Sequence, residues 1–244
     1  SGANAPAAAH EAERRVAREL ATAVVEALLP LRIDSRHTVG DMLLENPSLY
    51  EGISDLADEA RREITRPDRS LSRLEVHYRL PLFPDLPALI GGKAESLPFR
   101  PLLGWVPTRA YTGIVIYAAE PLPIHGTDIV SSLLPALYPK IYDEEMREVL
   151  TPQHLDDEYL RRWGTAAYTS TLDLQRFTVR IGSNPIRIVA RRYFGVTPTD
   201  IVIGRRDARE LLSNPQNRRL LREGRILIIT PPATGAPLDP TSTD

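Results

Sequence analysis

Residues 80–106, LPLFPDLPALIGGKAESLPFRPLLGWV, limit what this chain can fold into more than any other stretch. Pro81, Pro84, Pro87, Pro98 and Pro101 cut it into short apolar pieces. Each proline removes an N–H donor and pushes the residue before it out of the helical region, so neither a long helix nor a central strand runs through it. Yet Leu82, Phe83, Leu86, Leu89, Ile90, Phe99, Leu102, Leu103, Trp105 and Val106 all need an apolar place. A long irregular segment is normally polar or functional, and this one is not polar. Two readings stand side by side. The segment is a flap folded down over the chain's own core, hinged at Gly91 and Gly92, or it is a surface that meets lipid or a partner.

At 244 residues the chain has length for one large domain or two small ones. A net charge of −2 excludes no class of partner. Its distribution says more: residues 120–160 hold nine acids against two bases, and residues 161–225 hold fourteen arginines against five acids. Opposed blocks of this kind face each other, or one of them binds something charged. Cysteine is absent, which excludes disulfides, thiolate nucleophiles and thiolate-bound zinc in this stretch of chain. No apolar run approaches the roughly 18 residues that a spanning helix needs, so contact with a membrane would be made lying on it. Residues 1–9, SGANAPAAA, have neither the charged nor the apolar region of a signal peptide and read as a flexible leader.

Periodicity predicts an amphipathic helix over residues 10–29, with Val16, Leu20, Ala23, Val24, Ala27 and Leu28 in one stripe. Ser48 and Glu51 form the pattern of a capping box ahead of Leu49, Ile53, Leu56, Ala60 and Ile64, a second helix. Residues 74–80 alternate as a strand with one wet face, and residues 111–119, YTGIVIYAA, read as a buried central strand. Thr127 is placed to cap a short helix through Leu134, and Pro135 and Pro139 force extended or turn structure after it. Asp156, Asp157 and Glu158 open a further helix, with acids at its positive end. Strands are expected at 177–181, 186–193, 201–203 and 226–229, with helical turns at 207–212 and 216–222. The expected fold class is therefore α/β of the mixed α+β kind: a mixed sheet flanked by amphipathic helices, α/β/α-like. Residues 10–230 are expected to form a single domain containing the proline-broken segment 80–107, and 231–244 a disordered tail.

Dinucleotide, P-loop, nucleophile-elbow, zincin and EF-hand patterns are all missing. His10, His37, His77, His125 and His154 never fall as a close pair. Catalytic, cofactor and metal residues are accordingly expected to be none, and the chain is expected not to be an enzyme. The arginines at 205, 206, 209, 218, 219 and 222 would suit phosphate, but no RNA-binding aromatic signature accompanies them, and nucleic acid is not the expected partner. Anionic lipid, or the acidic block itself, satisfies the same arginines. Arg161 and Arg162 beside Trp163 read either as an interfacial helix or as a core tryptophan at the sheet edge.

Across YTGIVIYAAEPLPIHGTDIVSSLLPALYPKIYDEE, IGSNPIRIVA and DIVIGRRDARELLS, the chain resembles a family of exported bacterial lipoproteins that includes flagellar basal-disk and assembly proteins. Within it, the cysteine-free, arginine-rich form is most similar to spirochaetal, treponemal outer-membrane-associated lipoproteins with amphipathic helices. The resemblance implies periplasmic exposure, a lipid anchor upstream of Ser1, an α/β/α fold, helices that enter the inner leaflet and make the bilayer leakier, and no enzyme activity. On that reading the partner is membrane lipid, with anionic headgroups and a homodimer both compatible. The contacts would be Leu86, Leu89, Ile90, Leu102, Leu103, Trp105, Leu133, Leu134, Leu137, Arg161, Arg162 and Trp163. The alternative is a soluble periplasmic flagellar or envelope assembly module that binds protein.

Overall fold

The computed structural model describes residues 5–67, 74–91, 97–99 and 108–232. The chain separates into two compact units, Ser1–Leu31 with His37–Gly92 and Arg32–Arg36 with Lys93–Asp244, where the sequence reading drew one domain.

The first unit opens with α1 (Ala5–Leu28), which packs on α3 (Leu49–Asp55) through Val24, Val25 and Leu28. Val25 is buried and Ala23 and Ala27 are exposed, so the buried stripe is turned from the one expected. Between them lies α2 (Val39–Glu45), begun by a capping box. The Thr38 hydroxyl accepts the Asp41 N–H at 3.2 Å, and the Asp41 carboxylate accepts the Thr38 N–H at 2.8 Å. The box expected at Ser48 and Glu51 does not form, because the Ser48 hydroxyl donates to the Asn46 side-chain oxygen at 2.6 Å. After α3 a single 3₁₀ turn, Leu56–Glu59, leads into strand β1 (Arg61–Pro67), where a continued helix through Ile64 was expected. The backbone there pairs antiparallel with β2 (Leu74–Arg79), with a bulge between Arg62 and Ile64, and a strand ladder outweighs the helical spacing.

The proline-broken segment contains one helix, α4 (Asp85–Ile90). Pro84 is its N-cap and Pro87 its third residue. Prolines are tolerated there because the first-turn N–H groups have no intrahelical acceptor. Leu86 is 0% exposed and Ile90 is buried, so both are interior. Leu89 is half-buried and lies against Gly52, where an added Cβ would come within 2.7 Å of its Cδ2. Leu102, Leu103 and Trp105 lie outside the described residues.

The second unit comprises β3 (Ile114–Tyr117), β4 (Leu122–Pro123), β5 (Val130–Ser131), β6 (Ile141–Asp143), β7 (Glu148–Leu150), α5 (Asp157–Trp163), β8 (Ala167–Thr169), α6 (Thr178–Ile181), β9 (Ile186–Phe194), β10 (Asp200–Ile203), α7 (Arg205–Ser213), α8 (Pro215–Arg222) and β11 (Ile226–Ile229). Its seven-stranded sheet runs β7-β6-β10-β9-β3-β11-β8 and is mixed: β9/β10 and β6/β7 are antiparallel and the other neighbours parallel. The run expected as a central strand becomes β3, with Ile114, Val115 and Ile116 all buried. One sheet face packs Ile116, Ile188, Ile203 and Ile228 against Ala208 and Leu211 of α7 and Leu220 and Leu221 of α8. The other packs Val115, Leu227 and Ile229 against Ile181 of α6. The mixed α+β class expected from the sequence is what forms.

Two elements differ from expectation. Residues 127–134 form no helix; Thr127 instead closes the turn of the β4/β5 hairpin, its hydroxyl accepting the Ile129 N–H at 3.1 Å. Residues 177–181 are helical and not a strand. Gly182 ends that helix at φ 66°, and the backbone of Gly113 passes so close that an added Cβ would lie 2.3 Å from the Ile181 carbonyl. The extended stretch around Pro135 and Pro139 is laced in by N–H groups of Leu134 to the Pro198 carbonyl, Leu137 to Arg32 and Tyr138 to Ile33. Leu133 and Leu137 are consequently buried and Leu134 half-buried.

Candidate functional site

A cleft of about 460 Å³ lies in the second unit, where the carboxyl ends of β6 and β10 meet the amino end of β9. Ligand crevices of α/β sheets commonly sit where strand direction or order changes. Its lining includes four arginines, Arg187, Arg191, Arg205 and Arg206, and three carboxylates, Glu144, Asp207 and Glu210. Arg187 and Arg191 stand four residues apart on one face of β9, whose alternating pattern turns them outward while Ile186, Ile188 and Ala190 face the core. Arg205 and Arg206 begin α7, directly after Gly204. At Gly204 an added Cβ would lie 3.1 Å from the Asp207 carboxylate and 3.6 Å from Nε of Arg191, so glycine keeps this end of the cleft open.

Two of the three carboxylates of the cleft, Glu144 and Glu210, are hydrogen-bonded. The Arg205 N–H donates to Glu144 at 3.0 Å, and the Arg205 guanidinium pairs with Glu145 at 2.9 Å. The Tyr111 hydroxyl donates to Glu210, and this hydrogen bond holds the phenol above its ordinary range. Burial raises the Asp207 carboxyl, and Arg191 opposes that shift. Tyr111 is held from below by buried Asn217, which accepts the Tyr111 N–H at 3.1 Å and donates to the Arg109 and Glu210 carbonyls at 2.9 and 3.1 Å. The acidic and basic blocks of the sequence thus do meet, through Glu144, Glu145 and Arg205.

Arg161, Arg162 and Trp163 are adjacent on α5 but are engaged locally. Arg161 pairs with Asp157 at 2.9 Å, the Trp163 indole N–H donates to the Glu223 carbonyl at 2.7 Å, and Arg162 lies over the Trp163 ring at 5.0 Å. On the same ring sits Arg180, 8% exposed, which donates to the carbonyls of Gly224, Trp163 and Gly164 at 2.9, 2.9 and 3.0 Å. Trp163 is half-buried, at the edge of the unit's packing. His154 stacks on Phe99 at 4.7 Å and its Nδ1 accepts the Thr151 N–H at 3.0 Å; burial lowers its pKa. His125 bonds through its backbone N–H to the Tyr193 carbonyl, the loop anchor its turn context suggests. Among the described residues no three His, Asp or Glu side chains converge as a metal site, and no helix is long and apolar enough to cross a membrane.

The sequence reading placed Arg205 and Arg206 in a basic face but did not bring Arg187, Arg191, Tyr111, Glu144, Asp207 and Glu210 to them. The even spacing of Arg187 and Arg191, which puts both on the outward face of an alternating strand, was the available signal.

Residues 1–89 match a family model described as Treponema pallidum Tp0624, N-terminal domain, and residues 113–232 match one described as Treponema pallidum Tp0624, second domain. The two matches follow the order of the domains they are named for. No curated protein matches the chain. The spirochaetal, treponemal side of the resemblance drawn from the sequence therefore holds.

Proposed function

From two units that match consecutive domain families of a treponemal protein, we propose that this chain is a non-enzymatic module of an exported envelope lipoprotein at the periplasmic face of an outer membrane. It meets the membrane through charge at the arginine-lined cleft and does not insert its apolar segments. One observation carries the reading. Four of the apolar residues suited to insertion, Leu86, Ile90, Leu133 and Leu137, are core, whereas the cleft is lined by four arginines, of which Arg187 and Arg206 form no ion pair among the described residues. Inserting the core residues would require the fold around them to open, while guanidinium groups dock phosphate without unfolding.

Flotation of the unlipidated chain with vesicles tests this. Binding is expected to phosphatidylglycerol vesicles and not to phosphatidylcholine vesicles, to fall steeply between low and physiological salt, and to release no trapped dye. Salt-insensitive binding with dye release would overturn it in favour of apolar insertion. Absence of binding to either vesicle would overturn it in favour of an assembly module that binds protein.

A further inference from the structure

We propose that the cleft is a phosphate site, with Arg187 and Arg206 as the two guanidinium groups that close on the anion. This deepens the charge-led docking proposed above and rests on that reading for the source of the phosphate. The argument is an imbalance. Two of the three carboxylates lining the cleft are hydrogen-bonded, Glu144 by the Arg205 N–H and Glu210 by the Tyr111 hydroxyl, and Asp207 lies in the field of both Arg191 and Arg206. Arg205 is taken by Glu145. Arg187 and Arg206 line the same space and have no hydrogen bond or ion pair among the described residues. A cleft lined by four arginines and three carboxylates, in which Arg187 and Arg206 form no hydrogen bond or ion pair, is complementary to one more negative charge. Planar guanidinium forks match phosphate and carboxylate oxygens in pairs. The volume, about 460 Å³, suits a headgroup-sized ligand. A lipid headgroup and a free phosphate ester offer the same chemistry.

The experiment follows backbone amide NMR shifts of the whole chain during titration with glycerol 3-phosphate, alongside flotation on phosphatidylglycerol vesicles. Shifts are expected at residues 186–191 and 204–207. Arg187→Ala with Arg206→Ala should weaken the phosphate by tenfold or more. Arg176→Ala, an exposed arginine outside the cleft, should leave it unchanged. Glu144→Gln keeps an acceptor for the Arg205 N–H while removing a negative charge, and should tighten phosphate several-fold at low salt. Loss of both phosphate and vesicle binding in the double variant supports the site with a lipid source. Loss of phosphate binding in a chain that never binds vesicles supports the site with a soluble source and sinks the membrane reading alone. Equal phosphate titration by parent and double variant, or shifts spread away from the cleft, overturns the inference even where vesicle binding persists.

Discussion

Arg180 is the side chain whose loss should cost the second unit most. Its guanidinium is buried without a carboxylate, donates to three carbonyls, and lies 5.1 Å from the centre of the Trp163 ring. Two opposing terms set the magnitude. Three hydrogen bonds from a charged donor are worth about 1.5–3 kcal/mol each, about 5–9 kcal/mol gross. Burying the charge costs several kcal/mol, and that cost is visible in the pKa, which burial pushes down to about 9. Arg180→Met keeps the apolar stem and relieves the charge, but orphans the carbonyls of Trp163, Gly164 and Gly224 at about 1–3 kcal/mol each. The expected net loss is about 3–5 kcal/mol. Arg180→Lys retains the charge but not the fork and should lose about half as much. Urea unfolding at pH 7, with an unchanged m-value to certify two-state comparison, measures both. A loss under about 1 kcal/mol for Arg180→Met would show that these carbonyls find other partners, and would refute this accounting.

Burial raises Asp200 to about 6 from its ordinary 3.8, although it accepts the Lys140 N–H at 3.0 Å. The folded state then holds a proton that the unfolded state has released between pH 4 and 6, so stability should fall across that window as pH rises, by up to about 3 kcal/mol. Asp200→Asn keeps an acceptor and should flatten the profile and stabilise the chain at pH 7, as followed by urea midpoints; a parent profile already flat from pH 4 to 6 would contradict this. Leu86→Ala, at a fully buried position of the first unit, should cost about 2–5 kcal/mol. A negligible change in its urea midpoint would return this part of the chain to the reading of a surface that meets lipid or a partner.

The elements legible in the sequence are those whose pattern is local. β3 and β11 are continuous runs of β-branched and leucine side chains, and β9 alternates at period two, so each announces a strand before any partner is known. α1, α5, α7 and α8 carry their own stripes and flanking residues. Residues 177–181 misled for the same reason. Phe177, Val179 and Ile181 alternate as a strand would, but Ile181 alone is fully buried while Val179 is 78% exposed, because the close pass of Gly113 fixes a helical turn there. Ile64 likewise sat at helical spacing, and pairing with β2 decided otherwise.

By itself the sequence determined the class of fold, the central strands, and the existence of an acidic and a basic block. Only the tertiary structure decided that Leu86, Ile90, Leu133 and Leu137 are interior, since apolar residues between prolines look the same whether they cover a core or face a membrane. It also decided the cleft. Tyr111, Glu144, Arg187 and Arg206 span almost a hundred positions, and no periodicity links them. What brings them together is the reversal of direction between β9 and β10, which sets the amino end of one beside the carboxyl end of the other, and the register of a sheet is fixed by packing on both its faces at once.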